Sequence, residues 1–436
     1  KRLTGLLHFN TKLADSLYDS GIKNTQNRGM FSFKLTKWLR AKYGQHVQPD
    51  LSATDQKKCI AVLTCIVGEV PTEILQEGYM KWERWLIAFK VDKDHDLLDV
   101  LIRCFEAAPV PPRIKDELWN DMGIVVSVMP GDKMPWPGSS VNIPGQYYYH
   151  STINKNARIA DVLKQRPREV RIDDTQKNGL ITLTKMVLAS HQRETDPVTH
   201  TEPKYSRYYD QGSGLTTVLM GLPPERRQPI DSYIGYMAFK NGVPIAYGGG
   251  WILFDSCRIG VNVFPAFRGG ESSYIFAQII GLYKHLFRMN RFTVDPYQIG
   301  KNNSEGIRSG AFWMYYRLGF RPVQEHLREL ADSEYEKINT QKPYRSPASI
   351  LNKLADSKLE LFTGNKKNAA RIDATDLSAV SLAILHNKYG GNMERQSKAM
   401  VLHAARTKNL IERRIVDNWL KILGPEQWEE SLNKSD

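Results

Sequence analysis

Apolar side chains recur at helical spacing through three early segments: Asp55 to Val67, Thr72 to Val91 with Trp82 and Trp85, and Asp96 to Ala108. The prolines of APVPP, residues 108–112, stop the third. Residues 128–150 lose the periodicity. Their centre reads MPGDKMPWPGSSVNIPG, a composition that predicts a surface loop or linker. Helical spacing returns over Ala157 to Leu163 and Asp174 to His191. From Leu215 the pattern changes to runs of β-branched and aromatic residues, TTVLMGL, SYIGYMAFKNGVPIAYGGGWILF and RIGVNVF, which predict strands. Asn241-Gly242 between two such runs predicts a hairpin, because both central positions must accept positive φ. An amphipathic helix over Ser273 to Phe287, a short strand in RFTVDPY and a helix over Gly310 to Leu318, ended by Gly319, complete the block. Helical spacing resumes at Leu351 and runs to the C-terminus. It is broken at Gly390-Gly391, and Arg406 to Arg414 form a polar helical face.

This order of elements predicts a helical N-terminal region over 1–127 and a Pro/Gly-rich linker or loop over 128–150. An α/β domain over 151–345, with its core at 233–323, and a helical C-terminal extension over 346–436 follow. The chain has 436 residues, 41% of them hydrophobic, enough for two or three domains with sizeable cores. No run approaches the roughly 18 apolar residues of a membrane helix. The basic start, Lys1 to Lys12, leads into no long apolar stretch, so no signal peptide is read. Cys59, Cys65, Cys104 and Cys257 are scattered without C-x-x-C spacing, which argues against a disulfide framework or a thiolate zinc site. A cytoplasmic protein with reduced thiols is expected. Lys and Arg number 60 against 47 Asp and Glu, a net charge of +13, which attracts polyanions or a phosphorylated cofactor or simply forms a solvated basic surface.

Two segments carry the candidate chemistry. In NVFPAFRGGESSY, residues 262–274, a strand passes through a glycine-bearing turn directly into a helix. Such a turn points backbone N–H groups outward at a helix N-terminus, a site for phosphate or carboxylate, and Arg268 adds a permanent charge beside it. The second segment is SGAFWMYYRLGFRPV, residues 309–323. Its Ala311, Tyr315, Leu318, Gly319 and Phe320 are similar to the closing A-x-x-x-Y-x-x-L-G-F signature of the GNAT acyltransferase superfamily. Val263, Pro265, Arg268 and Gly269 fall on that family's V-x-P-x-x-R-G-x-G-x-G turn. The two signatures stand in the family's order with a strand between them, over about a fifth of the chain.

The resemblance implies an α/β fold with a GNAT-like mixed, bent sheet and flanking helices. Two strands would splay to admit the pantetheine arm of acetyl-CoA or another acyl-CoA. Val263, Arg268, Gly269, Gly270, Ser272 and Ser273 would hold the donor. The implied activity is transfer of the acyl group to an amine-bearing acceptor. Tyr315 would protonate the departing thiolate, and Asp295 or Glu271 would take the amine proton. The chain departs from the family where the later glycines give way to Glu271, Ser272 and Ser273, and where Arg308 stands in place of a frequent Asn. A looser likeness of GGES to the FGES turn of leucyl/phenylalanyl-tRNA–protein transferases implies a donor carried on tRNA, which the basic charge suits. A non-catalytic binding protein on the same scaffold is the third reading.

Asp295 ends the strand FTVDPY, followed by Gln298, Asn302 and Asn303. It reads either as a base beside the cleft or as the start of a turn. His191, Glu194, Asp196 and His200 match no metal spacing, so no metal is expected, and their segment reads as a capped or substrate-side loop. Gly248 to Gly250 interrupt a strand, which predicts a bulge or a close approach by something, including an acceptor. No G-x-S-x-G elbow, Walker loop or dinucleotide fingerprint is present.

Overall fold

The computed structural model describes residues 25–81, 84–85, 97–131, 134–141, 147–149, 152–154, 157–227, 232–364, 374–392, 394–396 and 398–399. The chain forms two units. The expected helical faces around Trp82 and over Arg406 to Arg414 fall partly or wholly outside the described residues.

The first unit comprises residues 1–142 and 174–200. It holds helices α1 (Phe33–Tyr43), α2 (Gln56–Val67), α3 (Glu69–Gln76), α4 (Leu97–Ala107), α5 (Pro112–Met122) and α6 (Asp174–Ser190). Side-chain caps start α1 and α2: Ser32 accepts from the Leu35 N–H at 3.2 Å and Asp55 from the Lys57 N–H at 3.1 Å. Phe33, Phe105 and Trp119 pack with ring centroids 4.8 to 5.8 Å apart. The Trp119 indole N–H donates to Phe31 O at 2.9 Å, so the buried ring keeps its polar handle satisfied. Three short strands, β1 (Asn27–Gly29), β2 (Val47–Pro49) and β3 (Val126–Val128), form an antiparallel sheet with β3 in the middle. At three residues each they lie below what alternation in a sequence can mark.

The second unit comprises residues 143–173 and 201–436. Its mixed sheet has nine strands: β4 (Arg168–Glu169), β5 (Ser206–Asp210), β6 (Leu215–Met220), β7 (Ser232–Lys240), β8 (Val243–Leu253), β9 (Ser256–Val263), β10 (Arg291–Val294), β11 (Arg321–Pro322) and β12 (Leu359–Phe362). Strands β4 to β9 pair antiparallel in chain order. The hairpin between β7 and β8 turns at Asn241 and Gly242, with φ of 49° and 79°. Strand β10 runs parallel to β9, and β12 inserts between β10 and β11. The flanking helices are α7 (Ser272–Phe287), α8 (Pro296–Ile299), α9 (Ser304–Ser309), α10 (Ala311–Arg317), α11 (Glu325–Thr340) and α12 (Ala348–Leu354). Helix α7 buries Ile275, Phe276, Ile279, Ile280, Leu282 and Tyr283 in one core with Phe292, Phe312, Tyr315 and Phe320. Among the described residues no helix is long and apolar enough to cross a membrane.

Two features differ from the sequence reading, and a third decides between its alternatives. Residues 174–200 belong to the first unit rather than to the α/β domain expected over 151–345. Leu359–Phe362, expected within a helical extension, is a strand of the large sheet; four alternating residues after a helix are too few to separate from helical spacing. The third is the glycine run, which contains no bulge. The irregularity in that ladder falls between Ala238 and Phe239. What approaches the glycines is tyrosine. A Cβ on Gly248 would lie 2.6 Å from the Tyr236 hydroxyl and closer still to the Gly260 carbonyl. On Gly250 it would lie 2.6 Å from both Cys257 Sγ and the Tyr283 ring, and on Gly249 it would strike the half-buried Tyr233 ring.

These contacts rank the three positions. Gly248→Ala and Gly250→Ala should each destabilise the protein by about 1–3 kcal/mol, the usual cost of overpacking against groups that cannot retreat. Gly249→Ala should cost less, because the Tyr233 ring has solvent to move into. Urea midpoints of the three variants test the ranking, and equal midpoints would refute it.

Candidate active site

The site begins with a ladder that ends early. Strand β9 pairs with β8 along its whole length, from Leu253↔Ser256 to Ala246↔Val263. On its other side it pairs with β10 only at Ser256, Cys257 and Arg258. The Phe264 N–H donates to Ile245 O at 2.9 Å, which sets the parity of the β8 ladder. By the alternation of an antiparallel pair, Ile259, Val261 and Val263 therefore turn their backbone groups toward the edge that β10 leaves uncovered.

Two of the expected residues meet that edge. Arg268 donates from Nε to Val263 O at 2.9 Å. The Tyr315 phenol is hydrogen-bonded by the Val261 backbone, which draws its pKa down; burial acts the other way and wins, holding it far above the ordinary phenol value. Tyr315 is fully buried on α10, with Phe276 5.2 Å away at 88° and Phe320 5.8 Å away at 80°. Those edge-on rings fix its rotamer.

The turn into α7 has the shape the sequence predicts. Gly269 takes φ +76°, in the left-handed region, and Gly270, Ser272 and Ser273 stand half-buried at the helix start. Both charged residues of the turn are engaged. The Arg268 guanidinium pairs with Glu305 of α9, with both side chains about half exposed (46% and 58%). The Glu271 carboxylate lies 3.0 Å from Lys240 Nζ, with both largely buried (13% and 17%), and accepts from the Asn154 N–H at 3.2 Å. Residues 147–149 and 152–154 thus pack beside the turn and the hairpin: Ile153 lies against Gly270, and Tyr148 exchanges backbone bonds of 2.9 and 3.0 Å with the Asn241 amide.

Asp295 follows the last residue of β10, with its carboxylate 3.7 Å from Arg258 Nε. Gln298 covers Gly260, where a Cβ would lie 3.0 Å from it. Arg258 lies over the Trp251 ring at 5.8 Å, and that ring stacks on Tyr233 at 4.1 Å. Arg258 and Val261 are three residues apart, so Asp295 and Tyr315 engage points on β9 separated by roughly 10 Å. The structure therefore brings Arg268, Val263 and Tyr315 to one stretch of strand edge. Asp295 lies further along β9, and Glu271 is turned toward Lys240. Asn303 caps α9 through the Gly306 N–H at 3.1 Å, a local role. Glu194, in the first unit, accepts from the Ser32 N–H at 2.8 Å and from two hydroxyls, which is loop-stabilising chemistry.

Sequence reasoning missed Lys240 and Glu305, the partners of Glu271 and Arg268. Lys240 ends a strand before a turn and Glu305 starts a short helix, so neither carries a periodic or motif signal. A separate cleft of about 260 Å³, lined by residues including Gln165, Arg168, Asp210, Gln211 and Gln278, contains none of the candidate residues. Among the described residues no three or more His, Cys, Asp or Glu side chains are grouped to hold a metal. In comparisons with known proteins, no family model, curated protein or solved structure matched the chain.

Burial predicts that the two ion pairs of the turn differ in strength. Glu305→Gln should change stability by no more than about 0.5–1 kcal/mol, as for exposed pairs. Lys240→Met leaves a largely buried carboxylate without its cation and should cost about 1–3 kcal/mol. Adding Glu271→Gln to Lys240→Met should recover most of that loss. A double-mutant cycle in urea, with coupling near zero for Lys240 and Glu271, would overturn the assignment.

Proposed function

We propose that the second unit is a GNAT-like N-acyltransferase that moves an acyl group from an acyl-CoA thioester to an amine. One observation carries the reading: β10 pairs parallel with β9 for three residues and ends at Val294, and the edge of β9 it leaves uncovered is met by Arg268 and Tyr315, which two sequence signatures had singled out. An extended thioester arm placed along that edge would find backbone groups at Val261 and Val263 for its amides, and Arg268 for its phosphates.

The chemistry follows from these positions. The neutral amine attacks the thioester carbonyl, a C–N bond forms and the C–S bond breaks. The amine proton leaves to Asp295 or Glu271, directly or through water. The thiolate takes a proton from Tyr315. A phenol that accepts its hydrogen bond from the Val261 backbone keeps its own proton to give. A phenol far above its usual pKa would match an exposed thiol poorly, but the burial that raises the phenol also raises a thiolate beside it and narrows the gap.

Arg268 must leave Glu305 to hold a phosphate, and that exposed pair is weak enough to yield. Glu271 favours a second reading, because a carboxylate stands at the helix start where a pyrophosphate would go. The basic chain then suits a donor esterified to tRNA, whose phosphates lie outside the turn.

Calorimetric titration with acetyl-CoA and free CoA at low and moderate salt decides between these. Micromolar binding that weakens about tenfold in Arg268→Ala and strengthens in Glu305→Gln supports the CoA reading. In an acceptor screen, Tyr315→Phe should keep that binding and lose about 10²–10⁴-fold in kcat, the usual share of one general acid. The turnover of the parent protein should show no alkaline limb from Tyr315 below about pH 10, since its phenol is held above that value. Absence of CoA binding sinks the reading. Salt-dependent tRNA binding in its place supports the second, and turnover unchanged by Tyr315→Phe points to a non-catalytic scaffold.

A further inference from the structure

The first unit carries a second cationic site, independent of the acyltransferase reading. Lys34, Trp38 and Lys42 stand at i, i+4 and i+8 of α1, and so share one face of the helix. From α6, Lys185 places its ammonium over the Trp38 ring at 5.0 Å, and Lys42 lies over the same ring at 5.3 Å. Lys185 is 7% exposed, and among the described residues no carboxylate pairs with it and no hydrogen-bond acceptor serves it. The nearby carboxylate, Glu194, already accepts from the Ser32 N–H and from the Ser32 and Thr199 hydroxyls. Lys42 donates to Thr182 at 3.1 Å, a neutral partner. Tyr43, edge-on to Trp38 at 5.8 Å, buries a hydroxyl without a partner among the described residues.

An ammonium on a side chain only 7% exposed, with one ring face and an already engaged Glu194 to set against two nearby like charges, is unfavourable as it stands. Burial, and then the charges of Lys34 and Lys42, push Lys185 down to about 8, opposed by Glu194. A multivalent anion on this face would remove the repulsion and supply the missing acceptors at once. We propose that Lys34, Lys42 and Lys185, around Trp38, bind a small phosphate-bearing anion. Phosphate fits better than a monocarboxylate, because Lys185 feels the charges of both Lys34 and Lys42, and a phosphate offers three acceptor oxygens and close to two charges.

The probe is inorganic pyrophosphate, titrated calorimetrically into the full chain at pH 7 and pH 8.5 in low salt. The binding that survives in Arg268→Ala is expected at this site, with affinity falling as pH rises through the range where Lys185 loses its proton. At the higher pH, binding should take up a proton, seen as a buffer-dependent heat. Lys185→Met, which keeps the apolar stem, and Lys42→Ala should each weaken binding by about tenfold or more, the scale of one charge-assisted contact. Lys34 and Lys42 are exposed, so variants there report even where Lys185→Met fails to fold. Arg268→Ala lies in the other unit and should leave this binding unchanged. Three results overturn the proposal: no binding at millimolar pyrophosphate, equal binding in folded Lys185→Met and Lys42→Ala, or binding lost in Arg268→Ala alone. Binding of nucleic acid without any binding of pyrophosphate also overturns it, since that is the diffuse attraction of a basic chain.

Discussion

A strand edge inside a protein cannot leave its amides and carbonyls unpaired, and strand β9 has such an edge from Ile259 to Val263. The requirement shapes everything around it. Where β10 stops pairing, side chains take over, with the Tyr315 phenol at Val261 and Arg268 Nε at Val263. Each is brought there by an element of its own: α10 aims Tyr315 between Phe276 and Phe320, and the left-handed Gly269 lets the chain double back behind Arg268. Tyr315 is locked by its neighbours, but an exposed side chain such as Arg268 can be displaced by a ligand that satisfies the edge equally well, which a paired strand of the same sheet cannot be. That exchange is what the proposed thioester arm would use.

The sheet can hold an open edge because its other strands are tied tightly. Gly248, Gly249 and Gly250 of β8 remove three side chains, and the rings of Tyr236, Tyr233 and Tyr283 occupy the space. The Tyr236 hydroxyl then reaches the Gly260 carbonyl at 2.7 Å and the Tyr283 hydroxyl reaches the Ile234 carbonyl at 2.6 Å, so the rings stitch β7, β8, β9 and α7 together. A glycine run in a strand usually weakens it. Here the lost packing is replaced by large rings, of which the buried Tyr236 and Tyr283 each place a hydroxyl on a backbone carbonyl.

How much of this could be read from the chain varies by element for physical reasons. The hairpin at Asn241-Gly242, helix α7 and the turn at Arg268 and Gly269 were legible, because each depends on local rules: positive φ, helical period and helix-terminus donors. Tyr315 was legible through spacing to Leu318 and Gly319. Strand β12 was not, since four residues carry too little period and its place between β10 and β11 is set by pairing far along the chain. The membership of residues 174–200 in the first unit is likewise a long-range fact. Gly248 to Gly250 predicted close approach correctly, but the approaching groups are tyrosines 12 to 33 positions away, which no local pattern names. Lys240 and Glu305 were invisible because an ion-pair partner needs only the right charge at the right point in space.

Those two partners also order the events that binding requires. On the proposed reading both ion pairs of the turn would stand in the path of a donor phosphate, yet they differ in how much water already reaches them. The Lys240 and Glu271 pair is largely buried and tied to the Asn154 N–H, so separating it exposes two desolvated charges and loosens residues 152–154. The Arg268 and Glu305 pair is half exposed and already screened by water, so Arg268 can change partners at little cost. On the proposed reading a ligand would therefore gain access on the Glu305 side. It must tolerate Glu271 as a fixed negative neighbour, with Lys240 beside it to cancel most of that charge. A donor whose phosphates spread toward Arg268 and away from the helix start meets this arrangement better than one that drives a pyrophosphate straight onto it. If the proposed reading holds, the replaced glycines of the turn and the charge of Glu271 would act on the same variable, how a donor approaches the end of β9.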